Sequence, residues 1–569
     1  QPEGADWPAI VHICQLVDGL PLGIELAATA VRRHAPADIA DRLSENLDFL
    51  AHSARNIPPR HRSLRAVFDY SWQLLEEGER TAVAQLAIFR SPISREAALQ
   101  VCQTEPDVLA ALVDKSLLTL AGNNRFNMHA LVRQFAAEAL AAQPELAQSV
   151  REQHGRYYAQ LLQAQTPHFH HHQEERAITA IAAELEDIRA AWVWALRQHQ
   201  WELISQSLFS LHWFFWTINR THEGTAMITQ AVEAAQAANA PALLIARLAF
   251  RRGALLSWLS KFDEALEILK EAITQLRHHQ ADDELGWALL ALADIGYFQC
   301  DFEMSEMLYQ EALTIFRQRE NQAGIAYALN NLGNVVCDSE ANYAAGGKLY
   351  EESLLIYRDL GNLRGQAKCL INLGANAQMQ SDYESARQLY LEGITICREV
   401  GNSYALAVAL NNLGQLEADQ GNYDVGQRHL LESLDIKREI GERRSIAYAL
   451  KHLGVIASRT GHHQQARGYF DEALIIGQVL ASSSLLVDVL VSVAEFWLLR
   501  ERAERAAVLL TAVRQHAAHD QVVMNQTAEM WAEITKVLSP TSRQAAESEG
   551  KIISLETAVI QALTDLRSG

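Results

Sequence analysis

Asparagine recurs in one column of this 569-residue chain: Asn330 with Asn331, then Asn372, then Asn411 with Asn412. A carboxamide both donates and accepts, so a row of them could hold the backbone of an extended polypeptide without choosing its sequence. Asparagine is also a poor helix former, so its return at a fixed interval needs a reason. Two reasons stay open at this level: a peptide-binding ladder, or struts that brace helix ends and neighbouring repeats. Other candidate chemistry is thin. His168-Phe169-His170-His171-His172 offers imidazoles, but adjacent histidines do not converge on a helix, and Thr166-Pro167 ahead of them reads as a solvated loop. Gly346-Gly347-Lys348 is followed by Leu349, and no Gly-x-x-x-x-Gly-Lys-Ser/Thr stretch occurs anywhere. Without that phosphate cradle and its lysine and magnesium ligand, ATP hydrolysis is not expected. No Ser/His/Asp or Cys/His arrangement stands out. The residues point to recognition rather than catalysis, with no catalytic residue and no metal site.

The elements that carry the asparagines repeat with them. Asn331-Leu332-Gly333 returns as Asn372-Leu373-Gly374, Asn412-Leu413-Gly414 and His452-Leu453-Gly454. A second column runs Phe262, Phe302, Tyr343, Tyr383, Tyr423 and His463, each followed at fixed distances by a small residue and by a glutamate, Glu271 to Glu472. A period of this length marks a solenoid, whose units bury their apolar faces only by stacking. Within one copy, Leu406, Leu410, Leu413 and Leu416 lie at helical spacing. Gly421-Asn422 breaks the helix, and a second runs from about Tyr423 to Ile440, with Gly441 as its C-cap. Each unit is a helix hairpin, so residues 241–480 predict six of them. The pattern resembles the tetratricopeptide repeat, in its Leu-Gly pair and in the small and aromatic columns that follow. The period is about forty rather than the usual ~34, and the closing proline is missing, which resembles the kinesin-light-chain subclass.

Composition narrows the class. A hydrophobic content of 49% supports extensive cores. No apolar run reaches the ~18 residues needed to cross a membrane. The six cysteines are scattered, without paired spacing, and predict reduced, buried thiols in a cytoplasmic protein. A net charge of −20 argues against a nucleic-acid surface on this portion. Gln1 is no natural start, so the chain reads as a fragment.

The first 140 residues follow another plan. Pro21 suits a helix's first turn within Gly19-Leu20-Pro21-Leu22, and helices are expected at 36–50, 64–75, 77–89, 94–102 and 106–115. Leu117–Leu120 and Phe126–Met128 read as a β-hairpin around Gly122-Asn123-Asn124, followed by a helix from His129. Helices followed by such a wing predict a winged-helix domain. Two phrases carry a family resemblance: Gly19-Leu20-Pro21-Leu22 resembles the Gly-Leu-Pro-Leu motif of the NB-ARC group, and Asn127-Met128-His129-Ala130-Leu131 resembles its Met-His-Asp motif, with Ala130 in place of the aspartate. Both are similar to signal-transduction ATPases of the STAND class, including bacterial regulators of the AfsR and MalT type. Glu184 to Arg197 resembles the helical segment that joins winged helix to repeats in such regulators.

The resemblance implies a mainly α chain. Residues 1–58 would be a helical remnant of the NB-ARC module, 59–140 the winged helix, 141–240 a helical linker with atypical repeats, 241–480 a tetratricopeptide superhelix, and 481–569 a degenerate repeat with capping helices. It implies a regulatory portion whose repeats bind a protein or peptide partner or inducer, coupled in cis to an NTPase core and effector domain outside this chain. No cofactor belongs to the fragment itself; in a full-length parent, ADP or ATP with magnesium would meet His129 at the β-phosphate and Pro21 near the adenine. No nucleic acid or membrane partner is expected. The alternative is a tetratricopeptide scaffold for protein assembly without nucleotide control.

Overall fold

The computed structural model describes residues 7–16, 34–45, 71–517 and 521–568, with single positions between 24 and 31 and at 68. Pro21 and the helix expected at 64–75, apart from its last residues, lie outside the described residues. Two compact units are formed: residues 1–169 with 173–279, and residues 170–172 with 280–569. The division between His279 and Gln280 falls inside the region where the sequence repeats.

In the first unit, α1 (Trp7–Leu16) packs on α2 (Pro36–Glu45). Then come α3 (Glu77–Leu86), β1 (Ile93–Ser94), α4 (Arg95–Cys102), α5 (Pro106–Asp114), β2 (Leu118–Ala121), β3 (Arg125–Met128) and α6 (Ala130–Ala141). The strands form an antiparallel sheet in the order β1-β3-β2, with Ile93 opposite Phe126 and Leu118 opposite Met128. The hairpin was legible in the sequence; β1 was not, because two residues cannot display an alternation. Local chemistry sets the boundaries. Ser94 accepts the N–H of Ala97 at 3.1 Å to start α4, and Pro106 occupies the first turn of α5.

Helices α7 (Pro144–Gln165), α8 (Glu174–Ala183) and α9 (Leu185–Arg197) follow, then α10 (Trp201–Thr217), α11 (Thr221–Ala237), α12 (Ala242–Trp258) and α13 (Phe262–His278). In the aromatic run Trp213-Phe214-Phe215-Trp216, the first three side chains are buried in this unit's core.

The second unit contains α14 (Asp282–Phe298), α15 (Phe302–Gln318), α16 (Gln322–Glu340), α17 (Tyr343–Asp359), α18 (Leu363–Met379), α19 (Tyr383–Glu399), α20 (Ser403–Asp419), α21 (Tyr423–Ile440), α22 (Arg443–Arg459), α23 (His463–Val479), α24 (Ser483–Leu499) and α25 (Ala503–His516). Even-numbered helices open each hairpin and odd-numbered helices close it. The opening helices pack on one another more closely than the closing ones do, so they form the inner face of the array.

One conformation punctuates both units. A residue with positive φ ends nearly every helix from His199 onward: Asn219, Asn239, Ser260, Gln280, Cys300, Glu320, Ala341, Gly361, Ser381, Gly401, Gly421, Gly441, Gly461, Ala481 and Glu501. The hairpin geometry therefore begins some forty residues before the sequence register becomes visible. Only five of these sites are glycine, which is why residue type failed to announce them. Small residues do mark the hairpin contacts. A Cβ on Gly426 would lie 2.7 Å from the carbonyl oxygen of Gly414, so α20 and α21 approach backbone to backbone there.

Helices α26 (Gln521–Val537), α27 (Pro540–Ile552) and α28 (Leu555–Ser568) complete the unit. The polar stretch 540–552 forms a helix between the other two. Ser539 caps it by accepting the N–H of Ser542 at 3.1 Å, and Pro540 starts it. Its buried contacts are made by Ala546 and Gly550, too small to read as an apolar stripe. All six cysteines are free, but Cys14 and Cys300 are exposed rather than buried. No helix among the described residues is long and apolar enough to cross a membrane.

Candidate functional site

The asparagines stand on the inner helices of the second unit, and the structure turns most of them inward. Asn330 is 0% exposed, Asn331 5% and Asn411 8%, while Asn372 and Asn412 are half-buried. The solvent-facing ladder expected from the sequence is therefore not formed by Asn330, Asn331 and Asn411. Of the two readings left open, internal bracing describes these three. The reason is local: a buried amide must find partners, and the adjacent inner helices supply them.

The partners form one network across three opening helices. Asn331 donates to Asp294 Oδ1 at 2.9 Å and accepts from Asn330 Nδ2 at 3.0 Å and from Lys368 Nζ at 2.9 Å. Asp294 also accepts from Tyr309 at 2.5 Å and from Tyr327 at 2.9 Å. Asn372 donates to Asn330 and to Asn334, both at 3.1 Å, and Tyr350 donates to Asn334 at 2.8 Å. Lys368 lies 4.5 Å above the Tyr327 ring. Burial raises the Asp294 carboxyl above the ordinary aspartate value, against Lys368 and its three hydrogen-bond donors. Burial likewise lowers the Lys368 ammonium, against the pull of Asp294. The sequence missed Asp294, Tyr309 and Lys368 because they occupy different columns of different repeats.

Farther along, the same columns hold basic groups. Lys437 is 4% exposed and donates to Asn411 Oδ1 at 3.0 Å. Lys451 and His452 follow on α22, half-buried, with the Lys451 ammonium 5.4 Å from the Tyr448 ring. Burial pushes Lys437 down to about 8, opposed by Glu442. It pushes His452 well below the usual imidazole range, and Lys451 and Lys437 add their repulsion.

The closing helices carry a surface ladder. Arg317 faces Glu352 at 3.7 Å, Arg358 faces Glu392 at 3.4 Å, Arg398 faces Glu432 at 2.6 Å and Arg438 faces Glu472 at 2.8 Å. The recurring glutamate thus has a partner one repeat earlier, which explains its column.

In the first unit, His129 is the N-cap of α6: its Nδ1 accepts the N–H of Leu131 at 3.1 Å. That bond leaves Nε2 as the proton-bearing nitrogen of the neutral ring, the form able to donate to a phosphate oxygen. Asp187, in the segment singled out at 184–197, accepts the backbone N–H groups of Arg90 at 2.7 Å and Ser91 at 2.9 Å, with His154 Nε2 at 3.3 Å. Burial opposes its charge, but these donors outweigh it and hold the carboxyl below its usual value. Glu184 meets Arg125 and accepts from Tyr158 at 3.1 Å. These acids tie the sheet segment to α7 and α9.

His168 ends a short 3-10 turn and His170 has a φ of +67°, its ring stacked 5.2 Å from Trp287. Among the described residues no three His, Cys, Asp or Glu side chains group to hold a metal ion.

With this geometry in hand, known proteins can be set beside it. A tetratricopeptide-repeat family model matches residues 324–399 and 405–476. A model described as anaphase-promoting complex subunit 5 matches residues 253–336. Proteins of Mycobacterium bovis and Mycobacterium tuberculosis named as HTH-type transcriptional regulators are 34% identical over 198 residues, 33% of this chain and 22% of theirs. The chain thus spans about a fifth of the length of those relatives. Among solved structures, it is similar to a STAND protein with a tetratricopeptide repeat sensor from Pyrococcus horikoshii, with 15% identity, a TM-score of 0.48, and 92% of this chain and 73% of that one covered. It is also similar to a Rap protein complexed with competence and sporulation factor, with 13% identity, a TM-score of 0.45, and 65% and 99% covered.

Proposed function

We propose that this chain, which carries tetratricopeptide repeats and is similar to part of proteins named as transcriptional regulators, is the sensor portion of a longer STAND-type signalling protein. Its inner face in the second unit takes a protein or peptide partner. The observation that carries this reading is the row of polar and aromatic side chains that reach solvent on successive opening helices: Asn372 on α18, Tyr404 and Asn412 on α20, and Tyr448, Lys451 and His452 on α22. Apart from Asn372, which also braces Asn330 and Asn334, a structural core alone does not call for them. The partner-binding role passes from the buried amides to these residues, with Asn372 and Asn412 common to both. Residues 59–140 supply the winged helix that transmits the event. The donor form of His129 fits an ADP phosphate on the nucleotide core of the longer protein. There ADP would hold the closed state, and loss of ADP from the purified His129→Ala parent is the expected result. Unchanged ADP content would remove His129 from the switch.

The groove is tested by capture. The whole chain retains a polypeptide from a peptide library, and a Tyr404→Ala, Tyr448→Ala double variant of unchanged melting temperature loses it. Equal retention by the variant would place the partner elsewhere and sink the groove reading.

A further inference from the structure

The histidine run that offers no metal site has a place in the second unit. Residues 170–172 belong to that unit, although the next residue to join it is Gln280. Four positions before the asparagine column runs another column of the opening helices: Trp287 on α14, Tyr327 on α16, Lys368 on α18, Val408 on α20 and Tyr448 on α22. Its first three members form a continuous row. The Trp287 and Tyr327 rings meet edge to face at 5.9 Å, and the Lys368 ammonium lies 4.5 Å from the Tyr327 ring. Phe316 meets Trp287 edge to face at 5.3 Å. The His170 ring adds one more group to the row, stacked on Trp287 with centroids 5.2 Å apart and planes 14° apart. Two residues on, the segment reaches the turn before α18, where a Cβ on Gly361 would lie 2.9 Å from the Cβ of His172.

The segment itself is irregular. Residues 169–173 form turns rather than helix or strand, with His170 and His171 half-buried and His172 exposed. His170 has a φ of +67°, a left-handed setting that a residue with a Cβ adopts at a cost. A short strained turn thus presents one planar ring to the largest aromatic of the column that also carries Tyr448.

We propose that residues 170–172 are a built-in pseudo-ligand: they cover the α14 end of the inner face, and a polypeptide partner reaches Trp287 only by displacing His170 with a planar side chain of its own. Parallel stacking on an aromatic face suits an imidazole, phenyl or indole ring alike. Tethering supplies the segment at a high effective concentration, so one ring stack is enough to keep it seated. A partner that adds contacts at Tyr404 and Tyr448 outcompetes it, and release lets the His170 backbone relax. The proposal rests on the groove reading for the partner being a polypeptide; the seating of the segment does not depend on it.

The test uses the whole chain with labelled tryptophan, its Trp287 resonance identified by loss in Trp287→Phe. The probe is a synthetic peptide with the sequence of residues 166–173. In a His170→Ala chain of unchanged melting temperature the peptide should shift the Trp287 resonance saturably. The wild type, whose site is filled in cis, should respond at least about tenfold more weakly. A peptide with alanine in place of its own His170 should lose about tenfold in affinity for the His170→Ala chain, a control that needs no further change to the protein. Equal binding by wild type and His170→Ala, no shift in His170→Ala, or equal binding of the two peptides would each overturn the pseudo-ligand. In the library capture, His170→Ala should retain polypeptide about tenfold more tightly than the wild type, and equal retention would overturn displacement. Success with the synthetic peptide but no library polypeptide held by either chain would reject the groove reading and keep the seated segment.

Discussion

Two stretches of one inner face solve the same problem differently. Around α14, α16 and α18 every polar group is answered within the protein: Asp294 gathers Tyr309, Tyr327 and Asn331, and Lys368 closes the set. Around α20 to α22, Lys451 and His452 stand where α16 has Asn330 and Asn331, Lys437 donates to Asn411 at 3.0 Å, and the Lys451 ammonium lies 5.4 Å from the Tyr448 ring. The contrast teaches that a repeat column fixes where a side chain sits, not what it does. A satisfied network rigidifies the stack, while single basic groups held by one neighbour each contribute less to it.

The largest expected effect breaks the first stretch. Asp294→Ala leaves two tyrosines and an asparagine without their shared acceptor, and Lys368 without its nearby negative charge. It should cost about 3–5 kcal/mol, read as a lower denaturant midpoint. Lys451→Gln in the second stretch removes an ammonium that its burial disfavours, so it should cost far less than Asp294→Ala or nothing at all. Equal losses in the two variants would erase the distinction.

The next effect sharpens the second stretch through pH. Lys437 titrates near 8 in the folded chain against 10.5 in the unfolded one. Below that window both states hold the proton, and the buried charge opposes folding. Within it the unfolded chain keeps a proton the folded chain has lost, so stability rises with pH, by about 3 kcal/mol. Lys437→Met should flatten that rise between pH 8 and 10.5; an unaltered slope would show that another group produces it.

The smallest effect concerns the outer ladder. Arg398→Ala removes one exposed pair with Glu432 and should cost roughly 0.2–1 kcal/mol at low salt, and nothing measurable near 1 M salt. A loss that persists in high salt would mean the arginine stem packs rather than pairs.

The hairpin array, its half-period and its glycine contacts were legible in residues such as Gly414, Gly426 and Gly441, because backbone approach and left-handed turns constrain residue type. The start of the array near His199 was not legible, since Asn219, Asn239 and Ser260 adopt the same turn without glycine. The glutamate column could be seen but not explained until Arg358 and Arg398 were found one repeat earlier. The site was harder still. Asn331 and Asn372 share a sequence motif yet differ in burial.

The sequence by itself determined that this chain is a stack of helix pairs, since periodicity follows from each pair's need to cover its neighbour's apolar face. Only the tertiary structure decided which amides are buried struts and which stay half-buried. Asp294, Tyr327 and Lys368 come from three repeats, and no one-dimensional spacing records which side chains share a contact once helices cross.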